Sequence, residues 1–146
     1  MGFLDKVKNV GTAMTGGAAK VSIEYPHQPM RPGESISVKV TVMSMGKEVK
    51  SGGVFVDIHA TEKGQVKCMK CQQMVNINHD TVKQAISIAP AFMLQPSESR
   101  TFEATIQIPQ GQPSYNGTVR NEWMIRGRLD AFGNDPDSGF QMIEVR

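Results

Sequence analysis

Cys68 and Cys71, spaced as Cys68-Met69-Lys70-Cys71, are the residues of this sequence whose type and spacing most directly suggest chemistry. Two thiolates at that spacing can hold one side of a tetrahedral ion across a tight turn, but a structural zinc takes about four ligands. His59 and His79 are the candidates for the remaining two. In a plain β-hairpin with its tip near residues 69 and 70, both histidines face each other across the base. At ~3.3 Å per residue that base is about 30 Å from the tip. The histidines cannot reach, so a zinc site needs the hairpin to fold back or two chains to offer a cysteine pair each. A redox role needs a thiolate at a helix N-terminus in a βαβ setting, whereas this pair lies in a β region. The bland reading, reduced cysteines of no special role, comes first, a metal or inter-chain site second and a labile disulfide last. Lys67 and Lys70 beside them can lower a thiol pKa.

The other constellations are weaker. Asp130, Asp135 and Asp137 form an oxygen-rich stretch suited to calcium, but their spacing departs from the EF-hand pattern and Pro136 restricts the turn. Asx turns explain Asn134, Asp135 and Gly139 equally well. Ser87, Ser97 and Ser99 lack a nucleophile elbow, and no spacing ties His27, His59 or His79 to one of them. No catalytic, cofactor-binding or metal-ligating residue is assigned, and the chain is expected not to be an enzyme. Arg126 and Arg128 alternate with Trp123, Ile125 and Leu129, so one face of that strand belongs in a core. The two arginines on the other face can grip an acidic partner or simply face solvent.

These residues must be positioned by β-structure. Arg31-Pro32-Gly33-Glu34-Ser35 precedes the alternation Ile36, Val38, Val40, Val42, and Gln95-Pro96-Ser97-Glu98-Ser99 precedes Phe102, Ala104, Ile106, Ile108. Each copy is a Pro-led turn feeding a strand with one apolar face. Further period-two runs lie near residues 19–25, 52–61, 65–77 in two broken pieces, 80–89, 118–130 and 139–145. Short strands at regular spacing, with no helical crossovers between them, predict an antiparallel, immunoglobulin-like β-sandwich. Phe3, Leu4, Val7 and Val10 make one helical stripe, which predicts a short amphipathic helix over residues 2–10. Two turns are marginal in water, so such a helix must dock on protein or, less favoured here, on a membrane interface. The division expected is residues 1–17 as helix and linker and 18–146 as one sandwich domain.

Composition narrows the classes. With 146 residues the chain suits one domain, since two would need roughly 200. A net charge of +2, with Lys and Arg scattered among acidic residues, offers no basic face for nucleic acid. Two cysteines are too few for a secreted disulfide framework, and no signal-peptide or membrane-spanning pattern is seen, so a cytoplasmic protein is expected. Aromatic residues at 6% argue against a carbohydrate-binding sandwich.

The order of several weak motifs resembles one arrestin-type domain. Tyr25 to Val42, with "RPGES", is similar to its first half. "LQPSESRTFEATIQIP" over residues 94–109 and the stretch Pro113 to Val145 are similar to its later elements. Sporulation-control-type bacterial and archaeal proteins combine such a domain with an opening like "MGFLDKVKNVG". Arrestin-type proteins usually carry two such domains, whereas this sequence resembles one, and the Cys-x-x-Cys hairpin is foreign to the family pattern. The resemblance implies a non-enzymatic intracellular adaptor or scaffold that binds protein partners, or itself, through sheet edges and loops. The alternative expectation is a metal-stabilised oligomer built on Cys68 and Cys71.

Overall fold

Alternation of apolar and polar residues lets a strand bury one side only, so the strands can close a core only by facing one another in two sheets. The computed structural model describes residues 18–131, 133 and 135–146 in full, together with the main chain of residues 7–13. The strands are β1 (Val7–Ala13), β2 (Ala19–Pro26), β3 (Ser35–Ser44), β4 (Val49–Lys67) and β5 (Met74–Ala89). They continue as β6 (Phe92–Leu94), β7 (Ser99–Gln107), β8 (Tyr115–Asn116), β9 (Val119–Ala131) and β10 (Gln141–Ile143). One sheet has the order β1-β2-β3-β7, the other β10-β9-β4-β5, with β6 added to β4 and β8 to β9. All strand pairs are antiparallel. No helix of the described residues is long and apolar enough to cross a membrane.

The core is shared by the inward residues of both sheets. Ile23, Val40, Val56, Ile58, Trp123 and Ile125 are fully buried. Gly127 lies in the middle of β9, where a Cβ would come within 3.1 Å of Val40 Cγ1, so the missing side chain lets the two sheets approach closely. Trp123 Nε1–H donates to Gln112 O at 2.8 Å, which satisfies the indole's only polar group and ties the loop before β8 over one end of the sandwich.

The two repeated motifs form equivalent devices. In one, Glu34 N–H donates to Arg31 O at 3.0 Å, and Arg31 N–H donates to Glu34 Oε2 at 2.8 Å. In the other, Glu98 N–H donates to Gln95 O at 3.0 Å, and Gln95 N–H donates to Glu98 Oε1 at 2.8 Å. The third residue takes positive φ in both, Gly33 at 79° and Ser97 at 59°. Because β3 and β7 are adjacent and antiparallel, each turn also clamps the other's strand. Gly33 N–H donates to Ile108 O at 2.7 Å, and Ser44 N–H donates to Glu98 O at 2.9 Å.

One expectation changes. Residues 7–10, placed by periodicity in a helix, instead lie in β1, which pairs with β2 from Val7↔Pro26 to Ala13↔Val21. A two-turn helix is marginal, and β-branched Val7 and Thr12 find main-chain partners along the edge of β2. Residues 1–6 and 14–17, with the rest of the expected helix and linker, lie outside the described residues. The two broken pieces expected over residues 65–77 are the outer ends of β4, which runs unbroken to Lys67, and of β5, which starts at Met74.

The unequal third residues of the repeated turns generate a test. Left-handed φ costs a non-glycine residue about 1–2 kcal/mol, partly offset by the lower chain entropy of the unfolded state. Gly33→Ser should therefore lower stability by about 1 kcal/mol, while Ser97→Gly should leave it unchanged or raise it slightly, as read by urea unfolding. A loss on Ser97→Gly would contradict the equivalence of the turns.

Candidate functional site

The inward residues Val54, Val56, Ile58 and Ala60 of β4 are buried, but from Thr61 to Asp80 no residue is. The hairpin thus leaves the core at Ala60 and projects from the sandwich. β9 accompanies β4 as far as Gly64↔Val119, and beyond that the two strands run alone to the tip. One face is held by a polar ladder. Thr61 Oγ1 donates to Asp80 Oδ1 at 2.9 Å, Gln65 Nε2 donates to Asn76 Oδ1 at 2.9 Å, and Lys63 Nζ meets Glu122 Oε2 at 2.9 Å. The hydrogen bond from Lys63 is the main reason that the Glu122 carboxyl lies below the usual carboxylate range. The other face pairs Val66 with Val75 and Gly64 with Ile77.

β5 ends its sheet, so along its 16 residues no strand of the described residues pairs with its outer side. An edge of that length is a template for a further strand. A bulge at Thr81, where the register steps from Ala60↔Val82 to Thr61↔Asp80, divides it into a half beside the core and a half beyond it.

Behind β5, on the outer face of the same sheet, lies an ionic cluster. Asp57 of β4 is 3% exposed and sits opposite Arg126 of β9. Arg126 Nε donates to Asp57 Oδ2 at 2.7 Å, and Arg128 Nε donates to the same oxygen at 2.9 Å. The outer ends of the guanidinium groups reach Asp137 at 3.5 Å and Asp135 at 3.1 Å. Arg126 lies over the Phe140 ring at 4.4 Å and Arg128 over Phe55 at 4.7 Å. The hydrogen bond to Asp57 raises the Arg128 pKa above its ordinary value. The arginines, for which the sequence left an acidic partner or solvent open, therefore hold carboxylates of their own chain. Asp135 and Asp137, considered for calcium, face these guanidinium groups, and Gly139 N–H donates to Asp137 Oδ1 at 2.7 Å in an Asx turn. Asn134 lies outside the described residues.

The histidines do not face each other across the hairpin. His59 is opposite Lys83, and His79 is opposite Glu62, with Nε2 to Oε1 at 4.0 Å. His59 tilts against Phe140 at 4.6 Å, and His27 stacks on Tyr25 at 4.8 Å. At the tip Cys68 is half-buried and Cys71 exposed, both as free thiols. Asp57 is the residue that sequence reasoning passed over. An acid at outward parity inside an otherwise apolar strand, with two arginines at outward parity on another, was the available signal.

Comparison with known proteins bears on this arrangement. Residues 7–137 match the family described as "Spo0M: SpoOM protein". The crystal structure of Spo0M, a sporulation control protein from Bacillus subtilis, is similar with a TM-score of 0.64 at 22% identity, covering 89% of this chain and 50% of that one. The chain thus spans half the length of that protein. No curated protein matches it.

The cluster generates two tests. Asp57→Leu leaves two guanidinium groups without their shared carboxylate. It should cost about 2–4 kcal/mol, tempered because both arginines are partly solvated. The triple change D57L/R126M/R128M should cost less than the single one in urea unfolding, since it leaves no uncompensated charge. Burial, the largest influence, pushes the His59 pKa below its usual 6.5. The unfolded chain then binds more protons near and below that pH, so stability should fall as pH drops through about 6.5. His59→Asn should flatten that part of a melting-temperature profile.

Proposed function

The chain belongs to the SpoOM protein family, and from that premise we propose that it is a non-enzymatic, arrestin-like adaptor that binds protein partners along the open edge of β5. The observation that carries this reading is the 16-residue strand at the end of its sheet, much of it standing beyond the core. Main-chain N–H and C=O groups along such an edge supply affinity, and alternate side chains supply specificity. Val75, 47% exposed, and Ile77 present apolar contacts on it, while Lys83 and the Thr81 bulge discourage indiscriminate pairing. The ion pairs of Asp57 keep the sheet behind the edge rigid, so that an added strand meets a preorganised template.

The arrestin-like part of the proposal rests on the reciprocal Pro-led turns and the two-sheet architecture, which match the motif order read from the sequence. Two free thiols suit a reducing compartment, and we place the protein in the cytoplasm. The name of the B. subtilis protein refers to sporulation control. For this chain we carry over a regulatory role exercised by binding.

A photo-cross-linking residue at Gln84, on the edge strand, tests the proposal against the same group at Ser22, on a strand inside the other sheet. In cells, Gln84 should give discrete protein adducts and Ser22 none. Equal labelling from both sites, or no adduct from either, would reject edge binding.

A further inference from the structure

The turn that closes the β4–β5 hairpin is shaped around a sulfur atom. Cys68 N–H donates to Gln73 O at 2.8 Å and Gln72 N–H donates to Cys68 O at 2.9 Å, which winds residues 68–73 into a tight loop. Inside it the main-chain N–H of Cys71 donates to Cys68 Sγ at 3.4 Å. A main-chain donor aimed at the sulfur orients it as a ligand on the inside of the turn. Gln72 holds φ at 62°, a left-handed conformation unfavourable for a residue with a Cβ. That strained residue reverses the chain immediately after Cys71.

Two sulfurs are half of a tetrahedral set. Among the described residues no three His, Cys, Asp or Glu side chains are grouped to hold a metal ion. His59 packs on Phe140 and His79 lies beside Glu62, so neither completes the set.

We propose that Cys68 and Cys71 form one half of a zinc site whose other half is the same pair from a second copy of this chain, joining two hairpin tips through a tetrathiolate centre. Three observations point to a second copy. The tip stands seven residues beyond Ala60, the last buried position of β4, or about 23 Å at ~3.3 Å per residue, so two tips can meet without collision of the sandwiches. Four thiolates around Zn²⁺ carry a net charge of −2, and Lys67 and Lys70 of two copies surround that charge with cations. The same lysines repel one another between bare tips, so the approach is conditional on metal. Met69, 85% exposed between the two ligands, gains apolar cover when a second tip arrives. An all-sulfur tetrahedral set selects zinc over magnesium or calcium. The contact is isologous, so it closes at two copies and does not propagate.

The inference is independent of edge binding by β5 and is tested without any partner. The full chain is reduced, stripped with a chelator and titrated with zinc alone, while native mass and bound metal are measured. One zinc per two chains should bind, the mass should double, and chelator should reverse both. Cobalt in place of zinc should give the intense visible bands of a tetrahedral thiolate site. The variant C68S/C71S should bind no zinc and keep its unassociated mass, with an unchanged far-ultraviolet spectrum showing that it is folded. Failure to retain zinc, one zinc per single chain, or a zinc-linked dimer that survives C68S/C71S would each overturn the proposal.

Discussion

Burial of the inward face of β4 is the contact on which the rest of the molecule depends. Val54, Val56, Ile58 and Ala60 lie between the two sheets, and each of the three larger side chains contributes roughly 1.5–3 kcal/mol by leaving water. A two-stranded ribbon is marginal alone, so the exposed continuation of the hairpin is stable only because its base is anchored this way. The alternate residues of the same strand, Phe55, Asp57 and His59, are thereby directed to the opposite face. There they meet Arg126, Arg128 and Phe140.

The two faces of β4 do different physical work. Inside, non-directional apolar burial sets how close the sheets come, with Gly127 allowing contact at Val40. Outside, Asp57 accepts from both arginines, and these reach Asp135 and Asp137. A buried carboxylate stripped of partners is costly, so this network fixes where the segment after β9 runs more than it adds net stability. Charges engaged within the chain are withdrawn from outside recognition.

The reciprocal turns give the first sheet a different source of order. Each glutamate caps its own turn while the turn's main chain grips the end of the neighbouring strand. Register between β3 and β7 is pinned at both ends, which matters because a one-residue slip would expose Val38 and Val40 together.

Strand parity and the paired turns were legible in the sequence because they are local. The period of two places Val38, Val40 and Ile106 inside wherever the strand lies, and Pro-x-Glu dictates its turn. The core position of Trp123 followed from the same parity. What the sequence left open were pairings between distant segments. Phe3, Leu4, Val7 and Val10 satisfy a helical stripe, but only a free edge on β2 makes a strand the better state for residues 7–13. His59 and His79 seemed to face each other because spacing alone puts the tip near residues 69 and 70. The turn instead runs from Cys68 to Gln73 and pairs Lys67 with Met74, which sets Glu62 opposite His79, and the step at Thr81 then sets Lys83 opposite His59. Asp57 and the two arginines are about seventy residues apart along the chain, and only the β4–β9 ladder brings their charges together. Local periodicity determined which side of each strand is apolar. Tertiary structure decided which strands are neighbours, because main-chain hydrogen bonds at an edge are indifferent to side-chain identity and depend on which edge is available.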